Sequence, residues 1–145
     1  MKLTENFSLE EMTVSQLASR NGWDNNPDAN EINNLTRVAQ LLEQVRKVIN
    51  KPIIINSAYR SKIVNDAVGS KDSSQHRLGC AADFRVSGMT LNAVCEAIKN
   101  SDIQFDQLLL EYNSWIHISV PNNPTDTPRN QMLIIDRSGV RPYRS

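Results

Sequence analysis

Phe105-Asp106-Gln107-Leu108-Leu109-Leu110-Glu111-Tyr112-Asn113-Ser114-Trp115-Ile116-His117-Ile118-Ser119-Val120 decides how this chain is read. Two runs rich in leucine, isoleucine and aromatic residues, 105–112 and 115–120, flank the polar pair Asn113-Ser114. That pattern is a β-hairpin. Upstream, Ala81 to Val86 reads as another strand, and Ile53-Ile54-Ile55 behind Pro52 is short and β-branched, a buried strand. Downstream, Pro121 to Asn130 carries three prolines and reads as a loop, with a last strand over Met132 to Asp136.

Helical signals dominate the first half. Ser8 with Glu11, and Asp28 with Glu31, have capping-box spacing. Behind Asp28, the residues Ile32, Leu35, Val38, Leu41, Leu42, Val45 and Val48-Ile49 recur at helical spacing to about Asn50. Asn21 to Asn30 reads as a connecting loop, residues 61 to 69 as a short helix closed by Gly69, and Ser70 to Gln75 as a loop. Thr90 caps a helix carrying Leu91, Val94 and Ile98. Helices followed by an antiparallel-looking sheet predict an α+β fold, with N-terminal helices packed on a small, mainly antiparallel sheet.

The 145 residues suit one domain spanning 1–145. At that size folding buries roughly 70% of the extended chain's surface. Sixteen basic and sixteen acidic side chains cancel, which argues against a nucleic-acid or anionic-membrane binder. The longest apolar runs fall far short of a membrane span, so no membrane insertion is expected. Two cysteines, Cys80 and Cys95, are too few for a disulfide scaffold and fit a reducing compartment, with one bridge still open. No signal-peptide pattern opens the chain, so synthesis in a cytoplasm without a signal peptide is expected.

Only two histidines occur. His76 precedes the strand that holds Asp83, and His117 lies mid-strand in the hairpin. A catalytic zinc site takes three protein ligands from nitrogen and oxygen donors and keeps a fourth position open. His76, Asp83 and His117 supply that count if adjacent strands bring them together. They are not the two-histidine helix of many metalloproteases. Read from the residues alone, His117 can equally be a partly buried polar group, and Asp83 a turn residue. Cys80 can be a ligand, a nucleophile paired with His76, or a small residue packed in the core between Gly79 and Ala81-Ala82.

The ordered motifs narrow these alternatives. Ser74-x-His76-x-x-Gly79-x-Ala81-x-Asp83 resembles the first zinc motif of the zinc D-alanyl-D-alanine carboxypeptidase family, which includes phage peptidoglycan endopeptidases. Trp115-x-His117 is similar to its second motif, and Ser57-Ala58-Tyr59-Arg60-Ser61, followed by Asn65, to its arginine-bearing turn. Asn6-Phe7-Ser8-Leu9-Glu10-Glu11 and Asn25-Asn26-Pro27 resemble the small phage and prophage subfamily. The resemblance runs from about residue 5 to 135. It implies a hedgehog/DD-peptidase-like fold, one zinc ion on His76, Asp83 and His117, and substrate contact by Arg60. A guanidinium can grip a carboxylate or stabilise an oxyanion; the plainer alternative is that Arg60 pins its loop to backbone carbonyls. Ser74 is expected either to orient the first ligand, to bond the substrate, or to steady its loop.

One departure matters. Many relatives carry the catalytic acid three residues before the last histidine, where this chain has Ser114. The nearest upstream carboxylate is Glu111. An odd-length hairpin loop puts Glu111 and His117 on one face as a diagonal pair, roughly 7–8 Å apart; a two-residue turn puts them on opposite faces. The hedgehog signalling domains have a similar Glu-x5-His spacing. Glu111 is therefore the expected general base, with a solvated strand carboxylate as the alternative. Asp106 and Gln107 are placed where they can line the cleft, Trp115 where it can stack on the ligand cage or the substrate, and Arg77 among solvated loop charges.

The resemblance implies a zinc-dependent hydrolase that cuts stem peptides of bacterial peptidoglycan. The bond is either a D-alanyl linkage or the one between L-alanine and D-glutamate. A monomeric phage or prophage endolysin, released by a holin to act at the cell wall, is the expected setting. A zinc-containing cell-wall or virion binding module without activity is the alternative, and Ser114 favours it.

Overall fold

Both capping boxes form. Ser8 Oγ accepts from Glu11 N at 3.2 Å while Glu11 Oε1 accepts from Ser8 N at 2.8 Å. Asp28 and Glu31 do the same at 2.8 and 2.9 Å. The computed structural model describes residues 1–144. Its elements begin with α1 (Leu9–Thr13), α2 (Gln16–Asn21), α3 (Ala29–Ile49), β1 (Ile53–Ser57), α4 (Lys62–Ala67) and α5 (Gln75–Leu78). There follow β2 (Ala81–Val86), α6 (Leu91–Lys99), β3 (Gln107–Glu111), β4 (Trp115–Ser119), β5 (Gln131–Asp136) and β6 (Gly139–Pro142). The fold is α+β, as expected.

The six strands form one sheet in the order β1-β2-β4-β3-β5-β6, antiparallel except for the β3–β5 pair. The parallel pair arises because the chain leaves β4, crosses through 121–130 and returns beside β3. The strands alternate sharply between two faces. Phe84, Leu108, Leu110, Ile116 and Ile118 are buried in the hydrophobic core, together with Leu35, Val38, Leu42 and Val45 of α3 and Val94 and Ile98 of α6. The opposite face of the same strands carries Asp83, Leu109, Glu111 and His117.

Several local expectations are corrected. α2 lies where no helix is read; it is a six-residue segment started by the Ser15 hydroxyl and closed by Gly22 at φ 66°. Gln75, read as loop, opens the single-turn helix α5, which carries His76. α4 ends at Ala67, two residues before Gly69. β6 lies beyond the strand read as last, and its four residues are exposed, so no apolar alternation marks it. Tyr112 belongs to the hairpin turn rather than to a strand. Glu111 pairs with Trp115 across a three-residue turn in which Tyr112 and Asn113 take φ of 54° and 50°. Cys80 and Cys95 are both buried and unbridged. Among the described residues no helix is long and apolar enough to cross a membrane.

Candidate active site

Four elements bring the site together. Asp83 on β2 and His117 on β4 are direct antiparallel partners, so their side chains leave the same face side by side. His76 arrives from α5, held against the end of β1: its backbone carbonyl accepts from Arg60 N at 3.0 Å, and its Nδ1 meets the Ala58 carbonyl at 2.7 Å. Gly79 makes this approach possible. Its φ is +78°, and a Cβ there would meet the Glu31 carbonyl oxygen at 2.8 Å. Only glycine takes both that backbone conformation and that contact without strain.

The geometry is tight. His76 Nε2 lies 3.1 Å from Asp83 Oδ1, His117 Nδ1 lies 3.0 Å from the same oxygen, and the two ring nitrogens are 3.2 Å apart. Both histidines are buried and Asp83 is half-buried. The Ala58 carbonyl can only accept, so His76 Nδ1 carries the proton and a neutral His76 turns the lone pair of Nε2 inward. That lone pair faces a carboxylate oxygen and a second imidazole nitrogen, an arrangement a shared cation relieves. Fixing a ligand's outer nitrogen on a carbonyl is also how metal-binding histidines are oriented. Two nitrogens and one oxygen suit zinc, and these three residues could hold a metal ion.

Asp83 is pulled two ways. Burial works to raise its carboxyl, but the neighbouring His76 and His117 outweigh it and hold the group below the usual carboxylate range. Glu111 responds in the other direction. Burial, and then the negative charge of Asp83, push its carboxyl up, with His117 and the Trp115 bond opposing. The odd-length turn sets Glu111 on the face of His117, meeting the geometric condition for a diagonal pair. Trp115 Nε1 donates to Glu111 Oε2 at 3.0 Å, leaving Oε1 without a hydrogen-bond partner among the described residues.

Arg60 is half-buried. Desolvation lowers its pKa, while the charges of Asp83 and Glu111 pull the other way. Its Nη2 reaches Ser74 Oγ at 3.4 Å, and its buried Nε has no partner among the described residues. Among the described residues the guanidinium binds no backbone carbonyl, so the loop-pinning alternative lacks its bonds. Ser74 stands at the start of α5, but its hydroxyl does not cap the helix; it meets Arg60 instead. Arg77 is not a free loop charge, since its Nη1 donates to Glu31 Oε2 at 2.5 Å and ties α5 to α3. Cys80 is fully buried, and burial pushes its thiol up despite Arg37 nearby. Its contacts are Arg37 and the Leu78 carbonyl, which makes it a packed residue rather than a nucleophile.

A pocket of about 340 Å³ opens beside His117, bordered by Ser74, Gln75, Gln107, Asn122 and Arg129. Gln107 lines it as expected. Asp106 instead lies buried behind it, bonded to Arg129 and Gln75. A larger cavity, about 680 Å³, opens near Leu110, Ile134 and Arg141, and none of the converging ligand atoms borders it. Three participants escape the sequence reading: the Ala58 carbonyl, the indole bond to Glu111, and Arg129. The first two follow only once strand register is known; the third comes from a loop with no motif.

Against known proteins, the model of the family described as peptidase M15 matches residues 5–119, which include Arg60, His76, Asp83, Glu111 and His117. No curated protein matches the chain. The match covers well over half of the sequence, and the chain belongs to the peptidase M15 family, the zinc D-alanyl-D-alanine carboxypeptidases.

Proposed function

We propose, with membership of the peptidase M15 family as the premise, that this chain is a zinc-dependent hydrolase of peptide bonds in bacterial peptidoglycan. One observation carries the reading: His76 Nε2, Asp83 Oδ1 and His117 Nδ1 converge to within 3.2 Å on one sheet face, with His76 oriented from behind by Ala58. These three residues would hold the ion. Zinc so bound supplies Lewis-acid polarisation of a carbonyl and acidifies water at its open position.

The chain's own residues do the rest. Glu111 Oε1 accepts the proton of the attacking water and returns it to the leaving amine. Its raised proton affinity suits that exchange, since burial disfavours the carboxylate and makes it a stronger base. Trp115 keeps Oε2 occupied and the carboxyl aimed. Arg60, its Nε unpartnered, offers donors to the oxygen that gains charge as the carbonyl is attacked. The resemblance of Asn6–Glu11 and Asn25–Pro27 to phage sequences supports a monomeric lysin, released by a holin and working at the wall.

A binding module without activity is the second reading, favoured by Ser114, whose hydroxyl donates to the Tyr112 carbonyl within the turn. Muropeptides of known linkage, incubated with zinc-loaded protein and weighed, separate the two. The catalytic reading expects one defined cleavage, slowed on the order of 10²–10⁴-fold by Glu111→Gln with zinc content retained. Intact muropeptides would favour the binding module, and an unslowed Glu111→Gln variant would remove Glu111 from the mechanism.

A further inference from the structure

A second arginine borders the cleft. Arg129 stands on the loop between β4 and β5, outside residues 5–119, so family membership assigns it nothing. It shares the pocket beside His117 with Gln75, Gln107 and Asn122. Among the described residues that line this pocket there is no carboxylate, and Arg129 is its one permanent cation. An anionic group entering the pocket meets neutral hydrogen-bonding side chains and a single guanidinium.

That guanidinium is held in a fixed attitude. Its Nε and Nη2 donate to Oδ1 and Oδ2 of Asp106 at 3.0 and 2.6 Å, and its backbone N–H adds a bond to Oδ1 at 3.3 Å. Gln75 Nε2 completes the set, donating to Oδ2 at 3.0 Å and also meeting Asn122 Oδ1 and the Val120 carbonyl. Asp106 is 4% exposed, whereas the Arg129 side chain is 55% exposed. The pair is therefore oriented, its carboxylate end largely buried, where it borders a neighbouring cleft shared with Asp126, and its guanidinium end turned outward. A side-on pair uses one hydrogen each from Nε and Nη2, so three of the five guanidinium hydrogens remain. Nη1 has no partner among the described residues. Gln75 precedes His76 on α5, so the network sets the cation relative to the candidate metal ligands.

We infer that Arg129 determines specificity by receiving a carboxylate of the substrate peptide in the pocket beside His117. The inference rests on the peptidase reading of the cleft and adds a preference to it: peptides with a free carboxylate near the scissile bond are taken over their amidated counterparts. Asp106 and Gln75 act as positioning residues for this contact.

Calorimetric titration tests it on the full metal-loaded chain carrying Glu111→Gln, so that the peptide survives. The probes are a stem tetrapeptide and versions with each carboxylate amidated in turn. At least one amidation should weaken binding tenfold or more. In the Asp106→Asn/Arg129→Gln double variant, which keeps a neutral hydrogen-bonded pair and avoids stranding a buried charge, that penalty should shrink below threefold. Arg129→Lys, which keeps the charge without the fork, should retain part of it. Equal or absent affinity across the probes, or a penalty undiminished in the double variant, overturns the inference. Hydrolysis by the unsubstituted chain is scored separately. Discrimination through Arg129 without cleavage would remove the catalytic reading and leave this one standing, whereas cleavage without discrimination would do the reverse.

Discussion

The two faces of the central strands obey opposite rules, although alternate residues of the same short segments build them. On one side Phe84, Ile116, Ile118, Leu108 and Leu110 are almost completely buried against α3 and α6. On the other, Asp83, His117 and Glu111 share one face, where the Asp83 charge pushes the Glu111 carboxyl up while the two histidines hold Asp83 low. The first face supplies stability and tolerates no void. The second is held in shape by the first, and tolerates its own internal conflict because a cation can resolve it. A one-residue slip of register would exchange the two sets, so the apolar alternation that anchors the sheet also fixes the site.

Substitutions on the two faces should break this symmetry in different observables. The largest effect belongs to the site face: His117→Ala should abolish measurable metal binding and lower hydrolysis by on the order of 10⁴-fold, the loss of several kcal/mol of metal assistance. Its stability to denaturant, measured without metal, should fall by about 1–2 kcal/mol, the loss of the buried His117–Asp83 hydrogen bond and less than the core substitution costs. On the core face, Phe84→Ala should cost about 3–5 kcal/mol with or without metal, through lost burial and a cavity beneath β2. Comparable destabilisation by both variants would mean that the two faces are not separate in function.

A smaller effect sharpens the same contrast at the sheet's end. The Arg129 hydrogen bonds hold the Asp106 carboxyl below its ordinary range, burial acting against them. A group whose folded pKa is depressed adds stability that is present above its unfolded value, about 3.9 for aspartate, and is lost as pH falls through the folded value. Asp106→Asn should therefore cost about 1.5–3 kcal/mol at pH 7, and the gap to the unsubstituted protein should narrow as pH drops below about 4. Chemical denaturation at pH 7 and pH 3 checks the sign; a gap that widens in acid would contradict the assignment.

How much of this was legible in the sequence follows from how local each signal is. Ala81–Val86 was read with its observed bounds because one face alternates apolar residues against Asp83 and Arg85. α3 ran to Ile49, where Asn50 turns left-handed, because its stripe is long, its start has a reciprocal Asp28–Glu31 capping box and its end a bond from Asn50 N to the Arg46 carbonyl. The three candidate ligands could be proposed because the chain has only two histidines and the family motifs order them. α5 and α2 were invisible: four and six residues do not complete a periodic pattern, and neither carries the capping-box spacing that marks α1. The parallel pairing of β5 with β3 leaves no mark in either strand, since direction is set by the loop between them. Arg129 could not be placed from its neighbours, because only the fold brings it to Asp106, twenty-three positions away in the chain. Trp115 was in view as a motif residue, but its bond to Glu111 depends on strand register, and Gln75, read only as the end of a loop, finds Asp106 only once the fold is known.

Zinc titration of the purified chain, read by elemental analysis and by thermal unfolding of the same samples, bears most directly on the convergence of His76, Asp83 and His117. One zinc per chain is expected, with a melting temperature that rises with free zinc; at a hundred times Kd the gain is about 2.7 kcal/mol. His117→Ala should remove both responses. Protein that takes up no zinc, and melts at the same temperature with and without it, would contradict the account.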